Sequence, residues 1–288
     1  MNSIKNQQLE GKNGRPFLMD VYWNEGNKTP KPILVFMHGF KGFKDWGHWE
    51  QIAWTFAKAG YCFVKFNFSH NGTTVDDALN FADLEAFGQN NYSKELADLE
   101  VVLDWIAGAN DWEEKINWES ANITLIGHSR GGPIALIGAK EQKNVQRVIT
   151  WAAVHELDYA WQKEVCQIST WKKEGVYHVM NGRTKQNMPL YYQLYENYQQ
   201  NATRLSVHET LKALDKPCLI VHGDGDPAVP AKAADYLMQH ASLGQLKIIK
   251  DANHVFGGKH PYRDEKLPVH SQILVEHCLD FLKEPNKG

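Results

Sequence analysis

Ile123-Thr124-Leu125-Ile126-Gly127-His128-Ser129-Arg130-Gly131-Gly132-Pro133-Ile134-Ala135-Leu136-Ile137 is the stretch whose reading decides the fold. Its first four residues form a short apolar run closed by glycine, as expected of a strand buried on both faces. Pro133 to Ala139 continues as an apolar helical pattern. Between them, Gly127-x-Ser129-x-Gly131 is a strand-to-helix turn too tight for bulky neighbours. Glycines two before and two after the serine let strand and helix backbones approach, while the helix N-terminus brings partial positive charge to the same spot. Ser129 is therefore a candidate nucleophile. The competing reading is a glycine-rich strand–helix turn without chemistry.

Outward from this point the chain alternates strand and helix. Upstream, Ile4–Leu9 and Pro16–Trp23 flank the turn-rich Gly11-Lys12-Asn13-Gly14 and read as a hairpin. Ile33–Met37 is a continuous apolar strand, Trp49–Ala59 a helix ending at Gly60, and Tyr61–Phe68 the next strand. Asn71–Asn91 reads as a long polar loop. Leu96, Leu99, Leu103 and Ile106 recur at helical spacing within Ser93–Ala107. Downstream come a strand at Val145–Ala153, another at Pro217–His222, a helix at Ala231–His240, a strand at Leu246–Ile249 and a final helix at Val269–Leu282. This alternation predicts right-handed crossovers and a mostly parallel sheet covered on both faces. His155–Asp215 breaks the rhythm. It shows no clear strand, is rich in Trp, Tyr and Gln, and is expected to be a small helical cap inserted into one α/β domain spanning residues 1–288.

Composition narrows the function classes. The net charge of −3 is spread along the chain, without the clustered basic excess of a nucleic-acid binder. Met1–Gly11 lacks the apolar core of a signal peptide, and the apolar runs are strand-sized, so no membrane association is expected. Cys62, Cys166, Cys218 and Cys278 are scattered without a Cys-x-x-Cys pair, the pattern of a reduced, cytoplasmic protein. No phosphate-binding glycine motif follows the first strand, and His254 and His260 lack a third ligand candidate, so neither cofactor nor metal is expected.

A serine hydroxyl needs a base, and the base needs a carboxylate behind it. Two loops follow late strands on the rim expected to carry Ser129: His222-Gly223-Asp224-Gly225-Asp226-Pro227-Ala228-Val229-Pro230, and Asp251-Ala252-Asn253-His254-Val255-Phe256. They supply His254 as base and either Asp224 or Asp226 as acid, in the order Ser, Asp, His.

With these residues in view, the chain from Pro16 to Leu282 resembles the α/β-hydrolase superfamily, in the branch of dienelactone-hydrolase-like and acyl-aminoacyl-peptidase-like serine esterases. In that branch the acid lies in Gly-x-x-Asp-x-x-Val-Pro, matched here by Gly223, Asp226, Val229 and Pro230, so the resemblance implies Asp226 and leaves Asp224 a turn residue. His38-Gly39-Phe40 matches the family's His-Gly-x signature and implies an oxyanion hole of the Phe40 and Arg130 N–H groups, with His38 structural. Lys41–Gly47 and Asn67–Gly72 also resemble this branch, as loop structure and pocket wall. Dienelactone hydrolases carry a cysteine nucleophile, so Ser129 points instead to hydrolysis of small-molecule carboxylic esters. The alternatives are a peptidase or acyltransferase with the same triad, or a non-catalytic binding module. The expected cap holds Tyr159, Trp161, Trp171, Tyr177, Met180, Met188, Tyr191, Tyr192, Tyr195 and Tyr198. They read as cap core or as the lining of an aryl-acyl pocket.

Overall fold

Every second residue of Lys31–Met37 enters a different core. Ile33, Val35 and Met37 pack into one apolar cluster and Leu34 and Phe36 into another, which is why the run is apolar throughout rather than alternating. The computed structural model that shows this describes residues 1–25, 29–108, 116–160 and 165–285, without the side chains of 159–160 and 165–167. In chain order the first half contains β1 (Asn2–Glu10), β2 (Pro16–Trp23), β3 (Lys31–Met37), α1 (Trp49–Lys58), β4 (Cys62–Phe66), α2 (Leu84–Gly88), α3 (Tyr92–Ala107), β5 (Trp118–His128), α4 (Gly131–Glu141) and β6 (Val145–Trp151). A 3-10 turn (Leu157–Ala160), α5 (Val165–Glu174), β7 (Val176–Met180), β8 (Asn187–Tyr191), α6 (Gln193–Gln200), α7 (Ala202–Leu205) and α8 (Val207–Ala213) follow. Then β9 (Cys218–Gly223), α9 (Lys232–His240), β10 (Gly244–Ile249) and α10 (Val269–Lys283) complete it.

Eight strands form one sheet in the order β1-β2-β4-β3-β5-β6-β9-β10, and β2 alone runs against the rest. This is the mostly parallel, doubly covered sheet of the α/β-hydrolase fold. Its register does the positioning. Met37 pairs with Gly127, His128 with Trp151, Trp151 with Val221, and Gly223 with Ile249, so the segments after β3, β5, β9 and β10 leave the sheet on one rim.

Three local expectations change. β5 is longer than Ile123–Ile126, beginning at Trp118 with a register irregularity between Lys31 and Ile33 of its partner β3. The loop Asn71–Asn91 contains α2, started by Asp83, whose carboxylate accepts the Ala86 N–H at 2.9 Å. The segment 155–215, between β6 and β9, is not purely helical: β7 and β8 pair antiparallel, with His178 opposite Pro189. Pro189 hides this strand from a sequence reading because proline removes a ladder donor, which a two-stranded hairpin tolerates at its outer edge. Trp161 lies outside the described residues. Among the described residues no helix is long and apolar enough to cross a membrane.

One polar device sits inside the first layers. Asp20 on β2 accepts from Lys44 at 2.8 Å and from Lys65 at 2.7 Å, and Asp45 bridges the same two lysines, one of these contacts at 2.6 Å. Asp20, Lys44 and Lys65 are essentially inaccessible to solvent. Burial pushes the Asp20 carboxyl up, but the two ammonium charges and the Asn6 N–H outweigh it and hold it well below the usual carboxylate range. The square anchors the loop after β3 through Lys44, whose own N–H donates to Asn67 at 2.7 Å.

Asp20→Asn leaves the two lysines sharing one aspartate, and its unfolding free energy in urea at pH 7 is expected to fall by about 3–5 kcal/mol. Because the folded Asp20 is more acidic than the unfolded one, this contribution is present above about pH 4 and lost as pH falls. The gap between wild type and variant should therefore close in acid.

Candidate active site

Ser129 follows β5 with φ 55°, a left-handed conformation that a serine adopts only when its surroundings enforce it. The enforcement is visible in its neighbours. A Cβ on Gly127 would lie 2.1 Å from the Gly131 oxygen, and one on Gly131 would lie 2.5 Å from the Met37 oxygen. The Ser129 N–H donates to Trp151 O at 2.9 Å, and its carbonyl accepts the Gly132 N–H at 3.0 Å, which opens α4. Beside it, the backbone N–H groups of Phe40 and Arg130 have no hydrogen-bond partner among the described residues. Two unpaired amides flanking a strained serine are suited to a developing oxyanion.

His254 sits in the loop after β10. Its Nδ1 lies 2.7 Å from Asp226 Oδ2, so Nδ1 carries the proton and Nε2 is the basic nitrogen. Asp226 Oδ1 accepts the N–H groups of Ala228 at 2.8 Å and Val229 at 3.0 Å. Burial raises its pKa, but the ring N–H groups of His222 and His254, the His254 charge and the Val229 N–H together hold it well below the usual range. Asp224 faces elsewhere and accepts the Asp251 N–H at 2.5 Å, closing the two loops on each other. The Ser129 hydroxyl and His254 make no hydrogen bond with each other. They line one cavity.

The loops are held by buried groups of which the sequence reading singled out only His38. His128 Nε2–H donates to the His254 carbonyl at 2.8 Å, and burial, helped by His254, pushes its pKa down to about 3. The Ser271 hydroxyl on α10 donates to Phe256 O at 2.7 Å and accepts from His48 Nε2 at 2.8 Å. His38 donates from Nδ1 to Gly39 O at 2.9 Å and accepts the Phe68 N–H at Nε2 at 3.3 Å, a structural role; burial pushes it down to about 4. Glu95, fully buried on α3, pairs with the Arg130 guanidinium and takes the Asn90 amide at 2.7 Å. A charged residue inside a helical pattern carries no sign that it faces inward, so Glu95 was not legible.

The cavity over Ser129 and His254 measures about 290 Å³. Phe40, Tyr92, Leu157, Leu190, Leu194 and Val229 supply apolar wall, and Lys41, Arg130 and Glu156 the polar part. A second lobe of about 200 Å³ shares Ser129, His254 and Phe40 and is walled by Trp46 and Trp49. An ester thus has room on both sides of its carbonyl. None of the described aromatic side chains of 155–215 lines the larger lobe. Trp171, Tyr192 and Tyr195 pack on one another instead, with Trp171 Nε1 donating to Leu190 O at 2.7 Å. The Tyr159 side chain and Trp161 lie outside the described residues. Among the described residues no group of three or more His, Cys, Asp or Glu side chains is placed to hold a metal ion.

Comparison with known proteins shows the family and the fold. The BD-FAE family profile matches residues 19–241. A Mycoplasma pneumoniae protein named as an esterase/lipase is 23% identical over 242 residues, covering 77% of this chain and 81% of its own length. Among solved structures, Est1E from Butyrivibrio proteoclasticus with bound ferulic acid superposes with a TM-score of 0.70 at 17% identity, covering 96% of this chain and 97% of that one. A Klebsiella pneumoniae protein described as a dienelactone hydrolase gives 0.61 at 12% identity, over 99% and 100% of the two chains.

Replacing Asp226 by Asn keeps the hydrogen-bonding shape but removes the charge and can impose the wrong His254 tautomer. A fall in kcat of about 10³–10⁴ is expected for Asp226→Asn, measured by ester hydrolysis, against less than about tenfold for Asp224→Asn.

Proposed function

Because the chain belongs to the BD-FAE family of α/β-hydrolase-fold esterases, we propose that it hydrolyses small-molecule carboxylic esters through an acyl-enzyme on Ser129, with His254 as general base and Asp226 as the acid that orients it. The observation that carries this reading is the 2.7 Å Asp226–His254 hydrogen bond facing a cavity shared with the left-handed Ser129.

The Ser129 oxygen attacks the ester carbonyl while His254 Nε2 takes its proton, and the Phe40 and Arg130 N–H groups hold the new oxyanion. Collapse breaks the bond to the alcohol, which leaves with the proton from His254. Water then attacks the acyl-enzyme, giving its proton to the same nitrogen, and Ser129 regains its hydrogen as the acid departs. Asp226 stabilises the imidazolium at each stage without taking the proton.

For the acyl group we favour a flat apolar acid of the cinnamoyl type. The larger lobe is of that scale, Phe40 and Tyr92 give it aromatic wall, and the similar Est1E structure holds ferulic acid.

The test is fluorophosphonate labelling with peptide mapping, alongside kcat/KM for matched cinnamoyl, acetyl and butyryl esters and a cinnamoyl amide. Labelling is expected at Ser129 and lost in Ser129→Ala, whose turnover should drop by at least about 10³. Cinnamoyl esters should lead the series and the amide trail it. Full esterase activity in Ser129→Ala would refute the assignment. Indifference to acyl aromaticity would remove the cinnamoyl preference alone.

A further inference from the structure

We propose that His222, a residue at the end of β9 outside the triad, is a positioning residue for the Asp226–His254 pair, supplying a second imidazole N–H to the carboxylate oxygen that holds His254. The inference rests on the triad reading above and deepens it.

The geometry defines the protonation of this ring. His222 is fully buried, and its Nε2 lies 2.9 Å from the Val229 carbonyl. A carbonyl can only accept, so Nε2 carries the hydrogen. The same nitrogen lies 3.4 Å from Asp226 Oδ2, so the N–H that bonds Val229 O also brings its positive end close to the carboxylate. Val229 in turn donates its own N–H to Asp226 Oδ1 at 3.0 Å. Ring, turn and carboxylate therefore close on one another, leaving Oδ2 presented to two histidines: His254 at 2.7 Å and His222 behind it.

The other nitrogen supports a role beyond packing. His222 Nδ1 is buried with no hydrogen-bond partner among the described residues. An orphaned polar atom costs stability that an aliphatic residue of similar size would avoid. What this ring offers its surroundings is therefore its Nε2–H.

Other titratable groups face the pair: His128, at the end of β5 with its ring 4.8 Å from that of His254, His48 before α1, and, in the lining of the cavity that His254 shares, Lys41, Arg130 and Glu156. Burial keeps His128 and His48 weakly basic, at about 3 and about 4 respectively, so neither ring adds charge near neutral pH, and Lys41, Arg130 and Glu156 are common to every variant compared. His222 thus sets how much of the Asp226 charge reaches His254. Removing its N–H leaves that charge less shared, favours protonated His254, and moves the acid limb of kcat/KM to higher pH, because activity needs the neutral imidazole.

The experiment uses the full chain with a neutral nitrophenyl ester, comparing wild type, His222→Leu and His222→Gln across pH 4–9, with thermal melts to establish folding. His222→Leu should lose about tenfold in kcat/KM and shift the acid limb upward by about half a pH unit or more. In His222→Gln the side-chain amide N–H can reach the same acceptors, and the limb should return most of the way. A folded His222→Leu with an unmoved acid limb would overturn the role. Should the leucine variant not fold, ¹⁵N-histidine NMR of the wild type decides. The His222 Nε2–H resonance should shift with the midpoint of the acid limb, and a resonance indifferent to pH there would overturn the proposal. Wild-type protein that neither turned over esters nor labelled at Ser129 would instead bring down the esterase reading beneath it.

Discussion

The close approach of two backbones at Ser129 is the constraint on which the site depends. Gly127 and Gly131 lie so near their neighbours that no side chain fits, and this contact fixes the serine at a positive φ with its hydroxyl in the cavity. The strain is sustained because both flanks are rigid. β5 is central in the sheet, and α4 has its first nine residues, Gly131 to Ala139, buried. The parallel register then places three further loops on the same rim, so a single packing contact aligns Ser129 with the Phe40 and Arg130 amides, Asp226 and His254.

Around that contact the protein arranges hydrogen bonds with few full charges. His38 and His128 are each pinned by a carbonyl that defines their tautomer, and burial keeps them neutral. Neutral rings can orient loops without depositing positive charge beside His254, where it would lower the basicity the mechanism needs. Several of the full charges are held in compensated groups. Glu95 faces Arg130, and the Asp20–Lys44–Asp45–Lys65 square anchors the loop carrying Phe40. Each such group is hard to remove singly, since its partner would remain buried without compensation.

Much of this was legible in the chain itself. Gly127-His128-Ser129-Arg130-Gly131 lies between an apolar run and an apolar helix, and those three signals agree with the strand, turn and helix observed. Asp226 was separable from Asp224 only through the Val229-Pro230 that follows, and in the structure it is Asp226 that meets His254. What escaped was set by tertiary contact. The hairpin β7–β8 has half-buried faces and an interior proline, so no period of two stands out. Glu95 lies on an amphipathic helix, and only the packing of Arg130 against it shows that this charge faces inward. The aromatics of 155–215 are conspicuous in sequence, yet the segment turns Leu157, Leu190 and Leu194 toward the cavity. The periodicity of an element reports which side is buried, not which buried side meets substrate.

The most direct measurement is interception of the acyl-enzyme. The protein is mixed with a slowly deacylating ester, quenched in acid during turnover, and examined by intact and peptide mass spectrometry. The triad assignment predicts a mass increase equal to one acyl group, carried by the peptide containing Ser129 and absent in Ser129→Ala. An acyl group on a different residue, or sustained turnover by Ser129→Ala, would contradict it.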